Sequence, residues 1–380
     1  MAYSSKAQNG TSKLPVLSAL CLFLSAVEYM IPKPLPFIRL GLANAPLLLA
    51  LRLPLSSFLP LVLVKIFGQA LISGTLFSYV FLLSFFGTAV SALVMYLLRR
   101  VIPEKYISLL GINIAGALFS SLTQITLARL FILGQGAIYI APPFLAVSVV
   151  SGTALGIFCE RFAEKSRWYR GETTEEQVFT TSATSMDMPV PAPPPPPPPQ
   201  KTPSRSDNGG GNKTLRSKKS LPDRIPPAIL FFSGIFMSVL MLLSPTLSFR
   251  LTLFFIFLIA AMLAGKAGNI LFMFVFFFVI VFFNALIPYG RVIFKIGAFT
   301  LTEGALEQGI DKAAALEGLV MLSRLTISPR LRLPGKAGAL LGEAFLLLPR
   351  LYDKKTTIHA KTFISDIDKV LLELDSSNHK

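Results

Sequence analysis

Charged residues are scarce in this sequence: they make up 15% of its 380 residues, whereas hydrophobic residues make up 53%. The mean hydropathy of +0.63 is too high for a soluble domain, which could not bury so many leucine and phenylalanine side chains. Several apolar segments reach the roughly 18 residues that cross a bilayer. The composition therefore excludes a soluble globular protein and predicts an integral membrane protein.

Residues that carry out catalysis or hold metals are also few. Cys21 and Cys159 lie in apolar stretches without a CxxC spacing, which predicts buried thiols rather than a disulfide or a metal site. Walker A, HExxH, DDxxD and Ser/His/Asp patterns are missing, and Asp366 and Asp368 are predicted to be solvated charges of the C-terminal tail. The sequence thus predicts no enzyme, no cofactor and no metal.

The net charge of +16 raises the question of a nucleic-acid partner. The basic residues, however, collect at the ends of apolar segments, a pattern typical of topology signals that face anionic lipid headgroups. We expect membrane lipid as a partner and no nucleic acid.

A polar, proline-rich stretch divides the chain into two hydrophobic parts. It contains seven consecutive prolines, Pro193–Pro199, followed by Gly209–Gly211 and a basic run, which predicts a disordered cytoplasmic tether. The predicted fold is all-α, with two helical transmembrane modules joined by this linker. The predicted regions are a cytoplasmic tail (1–13), a first membrane module (14–164), the linker (165–224), a second membrane module with a cytoplasmic amphipathic helix (225–352) and a polar C-terminal tail (353–380).

The first module is predicted to have six spans. Four are long, at about 14–31, 77–98, 107–132 and 138–160. Segment 40–67 is interrupted by Arg52, Pro54 and Pro60, so it is either one kinked span or two short ones. Two short spans place both basic clusters of the module in the cytoplasm and satisfy the positive-inside rule, so we prefer them.

The second module is predicted to have about four spans and both chain termini are predicted to be cytoplasmic. The spans lie at about 227–244, 249–264, 268–288 and 303–328. Residues 337–351 are apolar but bounded by basic residues, which predicts an interfacial helix.

Three groups of polar residues are candidate binding residues of the first module. Arg39 and Asn44 follow a proline-rich loop, Lys65 and Gln69 share a helical face, and Asn113 and Gln124 belong to one polar stripe. A lysine between apolar runs must face protein, water or ligand, because lipid exposure costs about 2.5–3.5 kcal/mol. The alternatives are headgroup anchoring for the arginine and helix–helix contact for the stripe. A ridge of small residues, Ser148, Gly152 and Gly156, predicts close helix packing.

The first module resembles a known family through these residues. The block Arg39-Leu-Gly-Leu-Ala-Asn44, with Lys65-Ile-Phe-Gly68 and the Asn113/Gln124 helix, resembles the Gx transporter family, often labelled heptaprenyl diphosphate synthase component I. That family is similar to the substrate-binding S components of energy-coupling factor importers. The resemblance implies a bacterial inner-membrane protein that captures a small substrate. Ser120 and Ser121 stand where a His-Asn pair is expected.

The second module is similar to the transmembrane T component of the same importers. The resemblance rests on Phe283-Asn284, on Gly304 and Gly309, and on the region from Leu333-Pro334 to Leu351. It implies ATPase subunits, supplied by other chains, that dock on a basic face. The candidate coupling residues are Arg330, Arg332, Lys336 and Arg350. The Ala-Arg-Gly-like motifs of T components are missing.

Two functions of different classes follow from these observations. The first is a transporter component that captures a vitamin-like or prenyl-like substrate and passes it to a T-like scaffold. The second is a non-catalytic membrane accessory of prenyl diphosphate or menaquinone biosynthesis. A passive binding or assembly protein is a third possibility.

Overall fold

Apolar runs form the helices of the first module, and prolines and glycines set several of their ends. The computed structural model describes residues 13–30, 41–170, 226–244, 246–296, 299–327, 335–353 and 363–378. The helices are α1 (Leu14–Met30), α2 (Ala45–Leu49), α3 (Leu55–Ser73), α4 (Tyr79–Val101), α5 (Leu109–Ala128), α6 (Ala137–Lys165) and α7 (Arg167–Arg170). Leu53 and Pro54 are extended and separate α2 from α3, because a proline disfavours helix in the residue before it. The ambiguous segment 40–67 is therefore divided into two helical parts.

The second module continues with long helices and one small hairpin. The helices are α8 (Pro227–Leu242), α9 (Leu247–Leu263), α10 (Ile270–Ala285), α11 (Glu303–Thr326), α12 (Gly335–Asp353) and α13 (Phe363–Asn378). Strands β1 (Val292–Ile296) and β2 (Phe299–Thr302) pair antiparallel between α10 and α11. Thr246 and Asn269 cap α9 and α10, since their side chains accept backbone N–H bonds in the first turn.

The architecture is that of an all-α membrane protein, as the composition predicts. Among the described residues, three helical stretches are long and apolar enough to span a bilayer: Leu55–Ser73, Tyr79–Val101 and Leu109–Lys165, the last containing α5 and α6. Several shorter apolar helices accompany them, including α1, α9 and α10. Cys21 and Cys159 are free and buried, which confirms the prediction of buried thiols.

Helix α11 crosses one end of the first module. The Ser323 hydroxyl accepts a 3.2 Å hydrogen bond from the Phe77 backbone N–H in the α3–α4 loop, and Asn284 of α10 donates a 3.1 Å bond to the Ile132 carbonyl in the α5–α6 connection. These two connections lie at the same end of the module, because its helices alternate in direction. We call this contact surface, formed by 74–78 and 129–136 against α10 and α11, the seam.

Helix α12 differs from the prediction of an interfacial helix. Its apolar stripe packs against α1 and α3, and Leu341 and Ala344 are buried there. Gly68 of α3 allows this approach, since a Cβ at that position would lie 2.1 Å from Leu22 and 3.2 Å from Leu341. The stripe is therefore covered by the first module rather than by lipid alone.

The C-terminal tail also differs from the prediction of a solvated polar segment. It contains helix α13, and Asp368 is 8% exposed. The Asp368 carboxylate accepts hydrogen bonds from the Ser166 hydroxyl and from the Arg167 and Trp168 backbone N–H groups, the latter two at 3.1 Å. The prediction for Asp368 was wrong, because its partners lie about 200 residues away and no local pattern reveals them.

Lys13 joins the same junction. Its ammonium donates to the Trp168 carbonyl at 2.5 Å and lies 5.2 Å from the centre of the indole ring. Burial lowers the pKa of Lys13, although the charge of Asp375 opposes this shift. The start of α1, α7 and α13 thus form one packed unit.

Candidate functional site

Polar side chains of the first module converge on one small cavity between its helices. Asn44, Lys65, Gln69, Asn113 and Gln124, five of the six residues nominated from the sequence, line this polar cavity. All but Asn44 are buried. The cavity is lined by the second half of α3, the first half of α4, residues 113–124 of α5 and residues 144–155 of α6. These residues form a single cluster although they are up to 80 positions apart.

Lys65 is the only cation among the described residues that line the polar cavity. It is 4% exposed, and its ammonium donates to the Asn44 side-chain oxygen and, at 3.1 Å, to the Thr88 hydroxyl. A buried ammonium is tolerated only with such oxygen partners. The Lys65 side chain is therefore directed into the cavity and away from lipid.

Glu28 brings a carboxylate to the same cavity and positions the chain before α2. It is 1% exposed, and its Oε1 accepts a 3.2 Å hydrogen bond from the Gly41 N–H. Gly41 has a φ of 75°, a left-handed conformation that favours glycine. This turn aligns Asn44 with Lys65.

The polar stripe of α5 serves both packing and the cavity. The Asn113 amide donates to the Gly152 carbonyl at 2.7 Å, and a Cβ on Gly152 would lie 3.0 Å from that of Ala117. Gln124 donates to Ser120 at 2.9 Å and occupies space left by Gly87, where a Cβ would lie 2.7 Å from the Gln124 amide nitrogen. The sequence allowed two interpretations of the stripe, helix–helix contact and ligand binding. They thus apply to different atoms of the same residues.

Gln69 has an unusual environment. It is 7% exposed, and its side-chain oxygen accepts no hydrogen bond within the described part of the chain. An unmatched buried acceptor costs about 1–3 kcal/mol. The side-chain oxygen of Gln69 is thus a candidate acceptor for a hydrogen-bond donor of a ligand.

The polar cavity has a volume of only about 50 Å³. That is space for a few water molecules, whereas small-molecule sites usually span about 300–1,000 Å³. A ligand larger than a few atoms therefore requires the lining helices to move apart.

Comparison with known proteins finds a family that is similar to this part of the chain. Residues 17–162 match the family described as heptaprenyl diphosphate synthase component I. The first module is thus similar to this family, and we call it the component I module. Residues 227–328 match a family described as a domain of unknown function. The search of curated proteins and the search of solved structures gave no match.

Several residues of the component I module that line the cavity were not predicted. They are Glu28, Ser84, Thr88, Ser121, Ser148 and Ser151. Glu28 carries a signal that was available, since it is the sole acidic residue of an otherwise apolar span. The serines and Thr88 carry none, because hydroxyl side chains commonly bond to their own helix.

The remaining nominated residues lie elsewhere. Arg39, Arg330 and Arg332 lie outside the described residues. Lys336 and Arg350 are exposed near the two ends of α12. They stay candidates for partner contacts.

Proposed function

We propose that this chain is a non-catalytic membrane component of an energy-coupling-factor-like transporter. The component I module captures a small vitamin-like or prenyl-like substrate, and the second module is a T-like scaffold. The observation that supports this is the convergence of Asn44, Lys65, Gln69, Asn113 and Gln124 on one buried cavity.

The chemistry of the cavity favours a substrate with an anionic or hydrogen-bond-accepting group. Lys65 supplies positive charge, and the amides of Asn113 and Gln124 lie on the opposite helix. Glu28 lines the same cavity, and its negative charge is proposed to offset that of Lys65 while no substrate is bound. Arg39 is proposed to lie at the entrance.

The proposed topology is multi-pass in a bacterial inner membrane, with cytoplasmic N- and C-termini and a cytoplasmic linker, predicted at 165–224, whose first residues form the packed helix α7. ATPase subunits from other chains are proposed to dock near Arg330, Arg332, Lys336 and Arg350. The four basic residues in this part of the sequence and the exposure of Lys336 and Arg350 support this assignment.

Substrate capture is tested by thermal unfolding of the purified chain against vitamins and short prenyl diphosphates. A true ligand raises the melting temperature, because only the folded state binds it. Lys65→Met should abolish this rise, and Lys105→Met, which changes an exposed lysine, should preserve it. An equal rise in both variants would remove Lys65 from the site.

A second candidate function is favoured by the family description itself. In that case the chain is a membrane accessory of a prenyl diphosphate synthase or of menaquinone biosynthesis. Affinity purification from native membranes separates the two: ATPase subunits support the transporter, and a soluble prenyltransferase supports the accessory.

A further inference from the structure

A second cavity lies at the seam, between the two modules. Its volume is about 390 Å³, within the range of small-molecule sites. The component I module contributes Gln69, Ser73 and Thr75, and the second module contributes residues of α10 and α11. This seam cavity is thus large enough for a ligand that the polar cavity could not hold without expanding.

The walls of the seam cavity are mainly apolar. Phe272, Met273 and Phe276 of α10 form one side, and Leu316 and Val320 of α11 form another. Such walls fit a compact hydrophobic body, such as an aromatic ring system.

One carboxyl group stands within these walls. Glu317 lines the cavity and is 4% exposed, and it forms no hydrogen bond or ion pair with any other described residue. Arg324 lies two helical turns further along α11 and also lines the cavity, but its guanidinium donates to the Ala267 carbonyl at 2.5 Å. A buried carboxylate is costly unless a partner of opposite charge reaches it.

We propose that the seam cavity binds a small apolar amine, with Glu317 as the group that pairs with the ammonium. The ring system of the ligand lies against α10 and α11, and its ammonium donates to the Glu317 carboxylate. Gln69 lines both cavities, so the ligand lies next to the polar cavity.

The proposal is tested with a matched pair of probes, 1-naphthylmethylamine and the neutral 1-naphthylmethanol. Both are measured by equilibrium dialysis against the detergent-solubilised full chain, with empty micelles subtracted. The wild type should bind the amine at least about tenfold more tightly than the alcohol. Equal affinities for the two probes would overturn the proposal.

The decisive variant is Glu317→Gln, which keeps the shape of the side chain and removes its charge. It should weaken binding of the amine at least about tenfold and leave the alcohol unchanged. Glu307→Gln, an exposed carboxyl on the same helix, should change neither. Unchanged amine affinity in Glu317→Gln would overturn the proposal.

A second variant keeps the test decisive if Glu317→Gln does not fold. Val320→Phe narrows the cavity without changing a charge, and should weaken binding of both probes. Undiminished binding in a monodisperse Val320→Phe protein would place the probes elsewhere and overturn the assignment.

Discussion

At the scale of the residue, the Asp368 carboxylate stabilises the turn at residues 166–168, which is about 200 positions away in the sequence. It accepts hydrogen bonds from Ser166, Arg167 and Trp168. Asp368→Ala leaves buried donors unmatched, so we expect a loss of about 1–3 kcal/mol in the free energy of unfolding. Thermal unfolding in detergent measures this loss. Lys369→Ala, at the exposed neighbouring position, should leave the melting temperature unchanged, and equal effects would contradict the role of Asp368.

Single polar residues also show what sequence can and cannot predict about a site. Lys65 and Gln69 are predictable because a polar pair within an apolar run needs a sheltered face. Thr88 is not, because its hydroxyl could equally bond within its own helix, and only the fold brings it 3.1 Å from the Lys65 ammonium.

At the scale of the element, α5 and α6 approach so closely that one position between them admits only glycine. A Cβ at Gly156 would lie 2.8 Å from the Leu110 Cα, which is backbone and cannot rotate away. Gly156→Ala should therefore force the helices apart and destabilise the protein by about 1–3 kcal/mol.

The matched control is Gly342→Ala on α12, where a Cβ would meet nothing within 4 Å. There the helix propensity of alanine acts alone, and we expect a gain of up to about 1 kcal/mol. Opposite shifts in melting temperature support the packing argument, and a loss in both variants would contradict it.

Elements were the most predictable level of this structure. Apolar runs determine the long helices. In the second module, the bounds of the four predicted spans differ from those of helices α8, α9, α10 and α11 by only a few residues. The packing of α12 on α1 could not be predicted, because an amphipathic stripe shows only that one face is covered and not what covers it.

At the scale of the whole molecule, the seam and α12 hold the two modules together without need of the linker. Gly136 lies against α10, where a Cβ would be 2.2 Å from the Phe283 carbonyl oxygen, and Leu341 is buried against α1 and α3. After cleavage at a protease site inserted in the linker, we expect the wild-type halves to remain associated in gel filtration. Separation of the wild-type halves would contradict this.

The same assay tests which contacts hold the halves. Gly136→Val with Leu341→Asp should release them after cleavage, because one change opens the seam and the other places a charge in an apolar contact. Gly342→Ala, introduced alone into the protein with the protease site, should leave the two halves associated after cleavage. The docking of the two modules could not be predicted from the sequence, because the hydrophobic periodicity of one module gives no information about the surface of the other.

The chain has a single tryptophan, Trp168, and the structure gives it a distinctive surrounding. The indole is 2% exposed, its N–H donates to Asp375 at 3.2 Å, and Lys13 lies over its ring. Its fluorescence therefore reports on one place in the molecule, the docking of α13. Release of α13 would expose the indole to water and shift its emission to the red, so an unlabelled native chromophore can follow this event in a membrane.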